Sequence, residues 1–173
     1  MKYLAAIMLP LVLSACVSVP KGIEPVQDFA VERYLGTWYE IARLDHKFEE
    51  GLSHVTAEYS LKEDGGLVVK NTGYSARDDR WQETEGKAYF VDGETTGYLK
   101  VTFQWPFYGS YVVFKLGDNY EYAYVTGNDR DYLWLLSRTP NVDADVLADF
   151  KATAKAQGFN LKDLILVNQI PLD

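Results

Sequence analysis

The side chains that most often carry metal or nucleophilic chemistry are scarce in this chain. There are two histidines, His46 and His54, and a single cysteine, Cys16. They form neither the H-x-x-x-H nor the C-x-x-C spacing of common metal sites. A Ser–His–Asp triad would need one of the histidines, but no G-x-S-x-G segment supports it, and no P-loop or dinucleotide-binding motif occurs. We therefore expect no catalytic residue, no metal site and no cofactor, in a protein that is not an enzyme.

The position of Cys16 indicates covalent lipid chemistry instead. Lys2 is followed by a ten-residue apolar run, Leu4–Leu13. That run is too short to span a bilayer, which takes about 20 residues, and has the size of a signal-peptide core. It ends in Leu-Ser-Ala-Cys, which resembles the bacterial lipobox, where the cysteine thiol receives a diacylglycerol and cleavage occurs just before it. The resemblance predicts a signal peptide over residues 1–15 and lipid attachment at Cys16; the alternative is a plain secretory signal with a chance cysteine.

Residues 16–28 are interpreted as the lipidated cysteine and a tether, because Pro20, Gly22 and Pro25 favour an irregular segment. Two or more acyl chains anchor a protein stably where one does not. Val17 follows the cysteine, whereas in the lipoproteins that this chain resembles an aspartate there marks retention in the inner membrane. The expected location is therefore the outer membrane, through a lipid anchor on its periplasmic face.

The charge balance excludes one class of partner. The formal net charge is −8, from 17 basic and 25 acidic residues. Binding to nucleic acid needs clustered Lys and Arg, so we expect no nucleic-acid partner. An anionic membrane would not attract this chain by charge alone.

Eight short apolar, aromatic or β-branched runs, separated by turn residues, indicate an all-β domain. At a spacing of about ten residues, with no helix between them, they predict an antiparallel meander, either a sandwich or an up-and-down barrel. The predicted strands are Thr37–Leu44, His54–Leu61, Leu67–Tyr74, Trp81–Phe90, Tyr98–Trp105, Ser110–Leu116, Glu121–Thr126 and Tyr132–Arg138.

One helix is predicted after these strands. Asp143 suits its N-cap and Gly158 its end, and Val146, Leu147, Phe150 and Ala154 share one face. A single apolar face indicates packing against the outside of the sheet. The segments 111–114 and 133–136 are apolar on both faces, as expected of strands between an outer helix and an apolar interior. A short run with strand chemistry, Leu164–Val167, follows the helix.

Three ordered segments carry a family resemblance. Residues 34–40, YLGTWYE, resemble the G-x-W block that opens lipocalins. Asp118, Tyr122 and Ala123 resemble parts of the second block, although Gly117 and Asn119 depart from it. Residues 129–138 resemble the third block, which ends in arginine. The chain is thus similar to the lipocalin family over residues 29–167, and a lipocalin domain over 29–173 is expected. The resemblance implies an eight-stranded antiparallel up-and-down β-barrel with one C-terminal helix packed outside.

The resemblance also implies roles for particular residues. In lipocalins the Trp of G-x-W plugs the closed end of the barrel and the Arg stacks across it; by match these are Trp38 and Arg138, with Gly36 and Asp118 as further fold-motif positions. Strand parity from Arg138 then points Trp134 and Leu136 toward a ligand cavity. Apolar character alone suggests further lining residues, each of which could equally be a packed residue: Ala42, Val101, Phe103, Val113 and Tyr122.

Barrels of eight strands hold one small ligand at most. The resemblance implies a fatty acid or a lysophospholipid, bound by a lipid-binding protein that stores or transports it for membrane maintenance. Two alternatives stay open: a lipocalin-fold enzyme that acts on a lipid, and a structural lipoprotein without ligand. Association into a homodimer is also left open.

Overall fold

The computed structural model describes residues 17–172, so the expected signal peptide and Cys16 lie outside the described residues. Within that range the chain forms two helices, α1 (Val31–Tyr34) and α2 (Ala144–Ala156). Its strands are β1 Gly36–Arg43, β2 Leu52–Leu61, β3 Leu67–Ser75, β4 Arg80–Phe90, β5 Tyr98–Gln104, β6 Phe107–Leu116, β7 Tyr122–Thr126, β8 Leu133–Ser137 and β9 Ile165–Leu166.

Strands β1 to β8 close into a barrel. Each pairs antiparallel with the next along the chain, and β1 pairs with both β2 and β8, which removes the free edge of the sheet. The two-residue strand β9 pairs with the second half of β1. The predicted all-β, eight-stranded antiparallel barrel with a C-terminal helix outside is confirmed.

The strand bounds agree with the sequence prediction to within three residues. The largest difference is at β6, which begins at Phe107 because Phe107 pairs with Gln104 across a two-residue connection. Helix α2 begins after Asp143, whose side chain makes no capping hydrogen bond, and the backbone turns at Gly158 with a φ of +85°. Helix α1, only four residues long, was not predicted. Neither helix in residues 17–172 is long and apolar enough to cross a bilayer.

Two hydrophobic clusters lie on opposite faces of the barrel wall. The inner core lies inside the barrel and includes Trp38, Val113 and Leu136. The outer core lies between the wall and α2, where Phe150 packs edge-on against Tyr124. Strands β6 to β8 contribute to both clusters, which is why their sequences are apolar on both faces.

The two ends of the barrel differ. At the closed end lie the connections 62–66, 91–97 and 117–121 together with α1, which is tied there by a hydrogen bond from Arg33 to the carbonyl of Asp118. At the open end lie the connections 44–51, 76–79, 105–106 and 127–132.

The N-terminal strap, residues 17–28, runs along the outside of the barrel from the open end to the closed end. The backbone N–H of Ser18 donates to Ser110 Oγ at 2.8 Å. Farther along, Val26 bonds through its backbone to Val113 and Gly97, and Ile23 is buried in the outer core. The described part of the segment predicted as a tether is therefore bound to the barrel wall at several points.

Candidate functional site

The closed end is held by a stacked pair. The Arg138 guanidinium carbon lies 3.9 Å from the centre of the fully buried Trp38 ring. The same guanidinium donates to the carbonyls of Thr37 (2.9 Å) and Arg33 (2.6 Å), and the Trp38 indole N–H donates to the carbonyl of Tyr34 (2.8 Å). These bonds connect the end of α1 to the start of β1, and the stacked side chains close this end of the barrel.

Two further motif residues lie near this pair. Gly36 has a φ of +86°, which side-chain-bearing residues rarely adopt, and a Cβ there would stand 3.7 Å from Arg138 Nη1. Asp118 is exposed in the 117–121 connection, where its carbonyl accepts from Arg33. Both positions contribute to the closed end and neither faces the barrel interior.

Three tyrosines form a hydrogen-bonded chain inside the barrel. Tyr111 Oη lies 2.7 Å from Tyr34 Oη and accepts a hydrogen bond from Tyr59 Oη at 2.8 Å. Burial raises the pKa of all three phenols above the ordinary value. At Tyr34 and Tyr111, charge repulsion from neighbouring tyrosines raises the pKa further. These groups are therefore neutral polar donors inside the barrel.

An open-end cluster of polar residues lies above the tyrosines and consists of Glu40, Arg43, His46, Glu49 and Trp134. Arg43 Nη1 donates to Glu40 Oε1 at 2.6 Å, and Nη2 bonds to the carbonyl of Glu49 at 2.8 Å. The Trp134 indole N–H donates to Glu49 Oε2 at 3.2 Å. His46 Nε2 lies 3.1 Å from the same oxygen, without the alignment of a hydrogen bond.

The pKa values of the two carboxyl groups in the open-end cluster are shifted in opposite directions. Burial and the charge of Glu49 raise the pKa of Glu40 well above its ordinary value, against the opposing effect of Arg43. Burial also acts to raise the pKa of Glu49, but His46 and the Trp134 N–H outweigh it, so that the pKa of Glu49 is lowered. The pKa of Glu40 therefore lies above that of Glu49, as expected of paired carboxyls in a dry site.

Several buried polar atoms lack a hydrogen-bond partner among the described residues, and two of them belong to inward-facing strand residues. One is Nε of Arg43, whose side chain is 1% exposed, and the other is Oδ1 of Asn71 on β3. A buried donor or acceptor without a partner costs about 1–3 kcal/mol. Such atoms are therefore positions where a bound polar group would be stabilising. No three His, Cys, Asp or Glu residues within 17–172 are grouped as a metal site requires.

The structure brings four of the seven cavity candidates together. Val113 and Leu136 are buried in the inner core, and Val101 and Trp134 pack against it while staying partly exposed. Phe103 lies at the open end beside Gly86, with 43% of its surface exposed.

The other two candidates, Ala42 and Tyr122, lie in the outer core, so they do not face the interior. A β-bulge between Glu40 and Ala42 shifts the parity of β1 and turns Ala42 outward. Tyr122 stacks on Tyr124 at 5.4 Å beneath α2, and the inward position of β7 belongs to Ala123.

Sequence reasoning missed the open-end cluster and the tyrosine chain. Two charged residues three apart, Glu40 and Arg43, inside a strand that is otherwise mostly apolar were the available signal, because such residues are seldom buried unless they are paired. The chain of phenols carried no local signal, because Tyr34, Tyr59 and Tyr111 are far apart in sequence.

Comparison with known proteins agrees with this geometry. The family profile described as a lipocalin-like domain matches residues 29–169. The chain belongs to the lipocalin family. Among curated lipocalins, the outer membrane lipoprotein Blc of Vibrio cholerae is 53% identical over 170 residues, which cover 98% of this chain and 99% of that protein. The Escherichia coli K12 protein of the same name is 52% identical over 150 residues, 87% of this chain and 85% of its own.

More distant relatives extend the family likeness. Bovine apolipoprotein D is 32% identical over 155 residues, covering 84% of this chain and 80% of that protein. Among solved structures, insecticyanin from the tobacco hornworm Manduca sexta superposes with a TM-score of 0.69 at 19% identity, covering 88% of this chain and 87% of its own. At that identity the likeness concerns the lipocalin fold alone.

Proposed function

We propose that this lipocalin is an outer-membrane-anchored lipid-binding protein that stores or transports fatty acids or lysophospholipids for membrane maintenance. Relatives that cover nearly the whole chain at 50–53% identity are named outer membrane lipoprotein Blc, which supports this location and a lipid anchor. The anchor would be formed at Cys16 after removal of residues 1–15, on the periplasmic face of the membrane.

The observation that carries the proposal is the order of chemistry along the barrel interior. The apolar side chains of Val101, Val113 and Leu136 lie below a polar cluster at the open end, in which buried Arg43 keeps one N–H unpaired. The first region would contact an acyl chain, and the second would bind a carboxylate or phosphate head group. The indole of Trp134, a member of that cluster, also packs against the inner core, with an apolar face and a polar N–H.

The experiment that tests this function is lipid extraction from the purified, full-length protein, followed by mass spectrometry. We expect a fatty acid or a lysophospholipid bound in a fixed ratio to protein. Val101→Trp should reduce that ratio, because position 101 faces the interior, packs on the inner core and is partly exposed.

The matched control is Val68→Trp, which changes a half-buried valine of β3 that lies between the inward residues Leu67 and Val69. It should leave the bound lipid unchanged. A folded protein that carries no lipid would favour the structural alternative, and turnover of added lysophospholipid would favour an enzyme.

A further inference from the structure

The exposed aromatic side chains of residues 17–172 are concentrated at one end of the barrel. Ten large apolar residues are exposed in that range, and the five aromatic ones all belong to the open end. We call these five the aromatic rim: Phe48, Trp81, Phe103, Trp105 and Phe107. Exposed apolar groups gathered in one place mark an interaction surface, and aromatic rings in particular suit the boundary between water and lipid.

The most exposed members of the rim stand on two connections at opposite sides of the barrel mouth, because the β1–β2 and β5–β6 connections lie half-way round the eight-stranded barrel from each other. Phe48, in the 44–51 connection, is 80% exposed. Trp105 is 79% exposed and Phe107 is 70% exposed, on either side of the turn between β5 and β6. Packing within the protein does not explain these rings, because most of each ring surface meets solvent.

The chain also enters the fold at this end. The Ser18 N–H bonds to Ser110, four positions beyond the β5–β6 turn, and Ser18 Oγ donates to the carbonyl of Asn128 in the 127–132 connection at 3.2 Å. One peptide bond joins Val17 to Cys16, and consecutive Cα atoms are about 3.8 Å apart. The residue expected to carry the lipid is therefore attached beside the aromatic rim.

We propose that the aromatic rim rests on the lipid surface to which Cys16 is anchored, so that the open end of the barrel faces the membrane. This inference rests on the proposed lipid anchor. From Cys16 to the bound Ser18 the chain can reach only about 7 Å. The eleven residues of β4 extend over about 35 Å before tilt. An anchor this short cannot let the barrel turn over and present its closed end.

The charges of the open end specify the kind of contact. The connections 44–51, 76–79 and 127–132 contain seven acidic residues against three basic ones. Attraction to anionic head groups is therefore not the source of binding, and the partner is the apolar boundary of the bilayer. A lipid entering the barrel from that boundary would pass the rings first and the open-end cluster next.

The test places an environment-sensitive fluorophore on single cysteines introduced into the full-length lipidated protein, in which the thiol of Cys16 is expected to be acylated. Phe48→Cys and Trp105→Cys report on the aromatic rim. Leu61→Cys and Val91→Cys are matched controls, because both are exposed apolar residues at the closed end. The labelled proteins are reconstituted into vesicles of phosphatidylethanolamine and phosphatidylglycerol, with and without a nitroxide-labelled phospholipid.

We expect the fluorescence emission of the rim labels to shift to shorter wavelength and to be mostly quenched by the nitroxide lipid. The emission of the closed-end labels should show neither change. Equal behaviour of the two pairs, or quenching of the closed-end pair alone, would overturn the inference. Circular dichroism of each labelled protein confirms that the barrel is intact.

Mass spectrometry of lipid bound to the same preparations separates this inference from the proposed function. Bound lipid together with unquenched rim labels contradicts the orientation alone. Quenched rim labels on a protein without bound lipid contradict the proposed function alone.

Discussion

Replacing Arg138 with alanine tests how the barrel is closed. The substitution removes the stack on Trp38 and the hydrogen bonds to the carbonyls of Thr37 and Arg33. At this partial burial the stack is worth about 1 kcal/mol, and each hydrogen bond, weakened by its exposure to solvent, about 1 kcal/mol. The expected loss in the free energy of unfolding is about 3 kcal/mol, which lowers Tm by about 6–12 °C in a domain of this size.

The assay is thermal unfolding followed by circular dichroism, with fatty-acid affinity measured on the same samples. Affinity should change little, because Arg138 lies at the closed end and touches no residue of the open-end cluster. Arg33→Ala is the matched control: its guanidinium lies 4.3 Å from the centre of the Tyr120 ring and makes one hydrogen bond of 3.3 Å. Because the Arg33 guanidinium is exposed, this contact should contribute less than about 1 kcal/mol. An Arg138→Ala protein that melts like the parent would refute the reasoning.

Three further outcomes are expected. Because the folded-state pKa of Glu40 is raised, the parent should lose stability relative to Glu40→Gln as the pH rises above 4.5. The loss is up to about 1.4 kcal/mol per pH unit until the folded-state pKa is passed. Urea unfolding of both proteins across pH checks this, and a difference in unfolding free energy that stays constant with pH would contradict it. Trp134→Phe should abolish most of the tryptophan fluorescence change produced by a long-chain fatty acid, whereas Tyr122→Phe in the outer core should keep it. Cys16→Ser should leave the protein unacylated and absent from the outer-membrane fraction, and its persistence there would count against the anchor.

Much of the fold could be predicted from the sequence, because local chemistry determines it. Alternating strands, turn residues and the apolar face of α2 each carry their own signal, and the G-x-W segment around Trp38 locates the start of the barrel. The pairing of Trp38 with Arg138 across 100 residues followed only from family resemblance, since nothing local joins the two positions.

The residues that face the interior were harder to predict, because the side chains of a strand alternate between its two faces. A single extra residue in a strand reverses that alternation. The bulge after Glu40 moves Ala42 to the outer core and lets Arg43 join the open-end cluster. Trp134 and Leu136 follow a regular strand, and both are placed in or against the inner core. The missed polar residues are buried through partners that lie on other strands, which no periodicity along one strand can indicate.

Helix α2 covers only part of the barrel wall, and this has a consequence for motion. Strand β7 is buried along four of its five residues, whereas most of β4 is open to water on its outer face. Backbone amides in β6 to β8 should therefore exchange their hydrogens slowly, and those in β4 faster, because local opening is easier where backbone hydrogen bonds are exposed to solvent. The barrel wall is then more rigid at β6 to β8 and more mobile at β4. A bulky acyl chain would enter by local opening on the mobile side, while β6 to β8 keep their conformation.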